Sequence, residues 1–272
     1  MQHRMPRINR KKAGLPPGTL VYTGEKKSDE VYVSLIKYGG DYLEEEQPPD
    51  IDSCLAKIDP AVINWINIDG LHDIGVIEKI GAHFNLHPLL QEDILNTDQR
   101  PKIDQYEDEG HYFAVVKMFY HEKGKRDFIT EQVSIAVGKN VIISFQEKSG
   151  DVFEPVRERL RAGRGRIRTR GTDYLSYALI DAIVDNYFHI LEELSERLEK
   201  IEGRILDQDQ SKQLLPSLHD TRRNLIILRK SVWPLRELIS RMEKGDIALI
   251  NPSTQVFLRD LYDHTIQVID NV

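Results

Sequence analysis

The residues of this chain that could do chemistry are mostly carboxylates, and three groupings stand out by their spacing. In QEDILN, Glu92 and Asp93 stand side by side in a segment whose apolar positions are Leu89, Leu90, Ile94 and Leu95. Adjacent side chains on a helix project about 100° apart, so one carboxylate can face a neighbour while the other flanks it. In LIDAIVDNYF, Asp181 sits between Ile180 and Ala182 beside an apolar seam, where a charge is costly unless it is solvated, paired or metal-bound. Towards the end of the chain, Asp260 and His264 are spaced i, i+4 with Asp263 adjacent. That spacing puts Asp260 and His264 on one helical face, where they can share a cation or form a salt bridge. Carboxylate oxygens suit hard cations such as Mg²⁺ or Ca²⁺, and a single imidazole adds tolerance for Co²⁺ or Ni²⁺. Taken singly, each grouping reads as an ordinary solvated or paired acidic surface.

Other chemistry is excluded more firmly. Phosphate-binding glycine loops, the Gly-x-Ser-x-Gly elbow and the His-Glu-x-x-His metalloprotease motif are all missing. Cys54 is the only cysteine, so neither an intramolecular disulfide nor a structural zinc cluster can form. A net charge of -7 argues against the whole chain binding nucleic acid. The stretch RLRAGRGRIRTRG (159–171) carries six arginines but no aromatics for base stacking, and reads as a solvated loop after a helix C-terminus.

The elements that must position these residues fall into two halves. Residues 30–39, 63–69, 111–120, 127–137 and 140–147 are rich in Val, Ile and aromatics and read as five strands. Gly138-Lys139 should join the last two as an antiparallel hairpin. Two short helices belong between the second and third strands, one over Ile74 to Phe84, the next opened by Pro88 and closed before Pro101. An amphipathic helix is expected from Asp151 to Leu160. Beyond it, Ile180, Val184, Tyr187, Leu191, Leu194, Leu198, Ile201 and Ile205 form a heptad seam. This predicts a helix from Asp173 to Leu206 that is about 50 Å long. A polar link at 207–212 leads to a second seam from Leu218 to Met242, giving an antiparallel helical hairpin that Pro234 should kink unless packing holds it straight. Asn251 should cap, and Pro252 open, a last helix with Leu261, Thr265, Val268, Ile269 and Val272 on one face. No stop signal ends that helix, so it is expected to be the start of something longer. The implied fold class is α+β: a three-layer α/β/α domain with a mixed sheet (15–170) after a flexible basic tail (1–14). A long helical hairpin (171–248) and a truncated stalk helix (249–272) follow.

Several long segments in order resemble the cytoplasmic part of CorA magnesium channels. They are AGLPPGTLVYTGEK (13–26), HPLLQEDILNTDQRPKIDQYED (87–108), EQVSIAVGKNVIISFQEKSGDVFEPVRERLR (131–161), DYLSYALIDAIVDNYF (173–188), SVWPLREL (231–238) and RDLYDHTIQVIDNV (259–272). The resemblance implies a non-enzymatic, divalent-cation-sensing domain of a Mg²⁺ or Co²⁺ channel, on the cytoplasmic face of the cell membrane. The family is homopentameric, and its two transmembrane helices and Gly-Met-Asn pore motif are not in this sequence. A soluble fragment is therefore expected, associating weakly by itself and reaching the membrane only through the missing C-terminal part. The family's sensing carboxylates match Asp93 and Asp260 at one cation position. At the adjoining position they match Glu92, Asp181, Asp260 and His264, with the backbone oxygen of Leu15 close by. Cations there, Mg²⁺ with Co²⁺ and other divalents possible, would join neighbouring subunits and favour a closed pore. The competing readings are the cytoplasmic domain of a related Zn²⁺ transporter, a soluble metal-dependent hydrolase using Glu92 and Asp93, and an RNA-binding adaptor using the arginine loop.

Overall fold

A computed structural model describes residues 12, 14–121, 128–206 and 211–272. Most of the basic tail and the first four residues of the polar link at 207–212 therefore lie outside the described residues. Seven strands form one sheet: β1 (Tyr32–Gly39), β2 (Tyr42–Glu46), β3 (Ile63–Asp69), β4 (Lys102–Tyr106), β5 (His111–His121), β6 (Phe128–Val137) and β7 (Val141–Gln146). Their order is β2-β1-β3-β7-β6-β5-β4. Only β3 and β7 pair in parallel, so the sheet is mixed as expected. The Gly138-Lys139 hairpin forms, with Val137 opposite Ile142 and the Gly138 N–H donating to the Val141 carbonyl at 2.8 Å.

Side chains alternate across the pleat and build two cores, which is what makes three layers. On one face Val33, Leu35, Ile66, Ile68, Phe113, Val115 and Phe145 pack under α1 (Ile51–Leu55), α2 (Ile74–Phe84) and α3 (Pro88–Leu95). On the other, Trp65, Tyr112, Ala114, Val116, Met118 and Ile135 meet α4 (Glu154–Arg161) and the long helices α5 (Thr172–Leu206), α6 (Ser211–Glu243) and α7 (Pro252–Asn271). Asn85, in the left-handed region at φ 51°, ends α2, a conformation that Asn tolerates better than most residues.

The heptad residues Ile180, Val184, Tyr187, Leu191 and Leu194 of α5 are buried, as are Leu228, Val232, Leu235, Ile239 and Met242 of α6. Thr172 ties the start of α5 to the sheet through the Gly138 carbonyl (2.6 Å), and α6 returns to it, where Arg241 donates to the Ile103 carbonyl (2.5 Å). The hairpin is therefore antiparallel. The structure corrects four local expectations. Two edge strands, β2 and β4, were not anticipated, because YLEEE and KIDQY are too polar to show an apolar run. The helix expected from Asp151 starts at Glu154, since Asp151 instead accepts both Arg157 guanidinium nitrogens (2.7 and 2.6 Å). The second long helix begins at Ser211, within the expected polar link, and it continues through Pro234, the alternative allowed for where packing holds the helix, here with Val232 and Leu235 buried on either side. Asn251 occupies the N-cap position but makes no side-chain cap; its N–H and side-chain amide both donate to Asp173 Oδ2 (3.0 and 3.2 Å).

Candidate divalent-cation site

Within one chain the predicted site residues fall into two groups, and no hydrogen bond or ion pair joins the two among the described residues. The first group sits where α7 lies along α5. Apolar positions Leu258, Leu261, Thr265 and Val268 turn one face of α7 inward, which leaves Asp260 and His264 at the surface beside Asp181. His264 Nε2 and Asp260 Oδ2 are 4.0 Å apart. One ligand atom from each of Asp181, Asp185 and His264 lies within 4.8 Å of the others. Asp185 is the functional candidate that the sequence reading passed over. The same i, i+4 rule that selected Asp260 and His264 would have found it one turn after Asp181.

The carboxylates of this group are only partly compensated by nearby positive charge. Burial, then the nearby Asp185 carboxylate, pushes the Asp181 carboxyl up to about 6, while Arg159 and His264 pull the other way. His264 Nδ1 is buried with no hydrogen-bond partner among the described residues. An open groove of about 550 Å³ between α4 and α5, lined by Arg159, Asp181, Asp185 and His189 among others, gives solvent a path to the carboxylates. Two carboxylates and an imidazole at this spacing can hold a hard cation that keeps part of its water.

The second group lies on α3, on the opposite face of the sheet. Neither Glu92 nor Asp93 is a freely solvated carboxylate: their side chains are 24% and 20% exposed. Glu92 Oε1 accepts from Lys12 Nζ (3.1 Å) and Oε2 from the Gly18 N–H (2.6 Å). Burial alone would raise the Glu92 carboxyl, but these two donors outweigh it and hold it below the usual glutamate value. Asp93 Oδ1 accepts from Gln99 Nε2 (2.6 Å) and Oδ2 from Lys102 Nζ (2.5 Å). Leu15 is exposed in the turn that follows Lys12, three residues before the Gly18 that contacts Glu92. The N-terminal segment thus crosses α3 at its acidic pair, with Thr23 donating to the Leu95 carbonyl (3.0 Å) beyond it.

Fold and site together define a class: a three-layer α+β sandwich with a long helical arm, carrying clusters of carboxylates on its helix surfaces. Residues 60–272 match the profile of the CorA-like Mg²⁺ transporter proteins. The Thermotoga maritima cobalt/magnesium transport protein CorA is 44% identical over 261 residues, covering 96% of this chain and 73% of that one. A Bacillus subtilis relative named for metal-ion transport is 31% identical, over 76% of this chain and 62% of its own. The soluble domain of CorA from Methanocaldococcus jannaschii superposes with a TM-score of 0.70 at 16% identity, covering 87% of this chain and 90% of that one. The chain belongs to the CorA-like Mg²⁺ transporter family. Among the described residues, no helix is long and apolar enough to cross a membrane.

Proposed function

We propose that this chain is the cytoplasmic, divalent-cation-sensing part of a CorA-type Mg²⁺ and Co²⁺ transporter, and that it holds cations between neighbouring copies to favour a closed pore. Support comes chiefly from the separation of the acidic residues into two groups within one chain, each short of a full ligand set. Mg²⁺ demands near-octahedral oxygen coordination and usually keeps several waters with one or two carboxylates. A copy that sets Asp181, Asp185, Asp260 and His264 against Glu92, Asp93 and the Leu15 carbonyl of its neighbour would offer such a set at each junction.

The physics of the switch follows from charge. Two acidic faces repel at close approach, and a divalent cation between them turns the repulsion into attraction. A cation bound only in the assembled state stabilises that state by mass action. In a homopentamer the contact repeats at every junction, so a fall in cytosolic Mg²⁺ loosens all of them together and lets influx resume. The pore would lie outside the described residues. Sedimentation equilibrium in millimolar Mg²⁺ or Co²⁺, compared with EDTA, tests the reading. The expected result is weak association that the cation strengthens; an assembly equally tight in EDTA, or none with either cation, would overturn it.

A further inference from the structure

Lys102 opens β4, and the pairing of β4 with β5 fixes its backbone. Its ammonium lies between two carboxylates, 2.5 Å from Asp93 Oδ2 and 2.8 Å from Asp104 Oδ2. Gln99 holds the other Asp93 oxygen, so both oxygens already have donors from the same chain. The two donors differ in what they do to an approaching cation. A neutral amide can share its acceptor, because each carboxylate oxygen has a second lone pair. An ammonium in contact with the oxygen competes for it, since its repulsion of a divalent ion is strongest there and falls as the side chain swings away.

Asp104 gives the ammonium somewhere to go. Lys102 is about one-third exposed, and its side chain has the reach and the rotamer freedom to leave one carboxylate while keeping the other. We propose that Lys102 is a tethered counter-ion of the cation-sensing site, which occupies Asp93 in the metal-free state and withdraws to Asp104 when a divalent cation binds. The inference rests on the reading of Asp93 as a cation ligand given above. It adds that binding is an exchange of one cation for another, which sets the concentration at which the site fills. Without the lysine, Asp93 would stand as an uncompensated, partly buried charge and would capture divalent ions at lower concentration. With it, the metal-free face keeps its charge balance.

The test measures the Mg²⁺ concentration at the midpoint of cation-driven self-association for the wild-type chain, K102M, K102Q, D104N and D93N. Thermal melts in EDTA confirm that each variant is folded. The exchange predicts that K102M and K102Q lower the midpoint by about fivefold, the size of a partly exposed ion pair. It predicts that D104N raises the midpoint, because the ammonium has lost its alternative partner and stays on Asp93. Unchanged midpoints in both lysine variants, with association lost in D93N, would overturn the tethered counter-ion and leave the site reading standing. A D93N midpoint equal to wild type would overturn both.

Discussion

Replacing Glu131 by glutamine should stabilise the protein at alkaline pH and do much less at acid pH. Glu131 sits on β6 and is 1% exposed. Its Oε1 accepts from the backbone N–H groups of Glu147 (2.6 Å) and Lys148 (2.9 Å). Burial pushes its carboxyl up to about 7, with Lys27 pulling down, the Glu147 charge pushing up, and the Glu147 N–H and the Tyr120 hydroxyl pulling down. A free glutamate titrates near 4.3, so between there and about 7 the folded state binds more protons than the unfolded state. This carboxyl therefore favours folding below the window, and its contribution is lost as pH rises through it. At about 1.4 kcal/mol per pH unit, the ionised side chain costs ~3 kcal/mol by pH 8 and about 1 kcal/mol at pH 5. Glutamine keeps the carbonyl that the two N–H groups need and never ionises. For a chain of this size about 1 kcal/mol moves Tm by roughly 2–4 °C. E131Q should accordingly melt about 6–12 °C above wild type at pH 8 and within roughly 4 °C of it at pH 5. Calorimetry or circular dichroism at both pH values is the assay. A gap of the same size at pH 5 and pH 8, or a lower Tm at pH 8, would refute the linkage.

Two further substitutions probe the cation site itself. Asp181→Asn removes a half-buried carboxylate that is only partly compensated, so without metal its Tm should equal or exceed that of wild type. The protection that millimolar Mg²⁺ or Co²⁺ gives wild type against proteolysis should fall at least severalfold; a Tm lowered equally with and without metal would make Asp181 a structural partner instead. Asp260 is exposed on α7, and Asp260→Lys should imitate a bound cation by setting a fixed positive charge against Glu92 and Asp93 of a neighbour. Each such contact contributes only about 0.2–1 kcal/mol, but a closed ring repeats it. D260K should thus associate in EDTA as wild type does in Mg²⁺, while D260A should need more Mg²⁺; identical association curves for all three would remove Asp260 from the mechanism.

Most of the fold was legible because its elements carry strong periodic signals. The heptad seam of α5 spans more than three turns, and no other arrangement buries Ile180, Val184, Tyr187 and Leu191 together. The hairpin at Gly138 and the start of α3 at Pro88 were legible for local reasons, a turn residue and a proline at the first helical position. What escaped were the two edge strands, whose sequences are mostly polar. In β2, Glu44, Glu45 and Glu46 stand on an edge strand, and their charges are answered by Lys37, Lys57 and Arg161 from elsewhere in the fold. Nothing in YLEEE announces those partners. Asn251 failed differently: its residue type suits a cap, but Asp173, 78 positions away, accepts from it instead.

The candidate site divides along the same line between local and long-range information. Spacing marked Asp260 and His264 as one helical pair and the apolar seam marked Asp181, but singly each read as an ordinary acidic surface, and only the family resemblance joined them. The same rule reaches Asp185. Spacing could not say that Glu92 and Asp93 would each be held by a lysine, since Lys12 is 80 residues from Glu92 in sequence. That difference bears on mechanism. Burial and the nearby Asp185 charge leave Asp181 only partly compensated, so a cation arriving there would relieve a cost already present in the fold. At Asp93 the arriving cation must displace Lys102 from the oxygen it holds. The two cation positions of a junction would therefore respond to different concentrations of the same ion, and the one that includes Asp181 should fill before the one that includes Asp93. Mg²⁺ titrations of D93N and D181N follow this order directly: D181N should remove the tighter phase and D93N the weaker one.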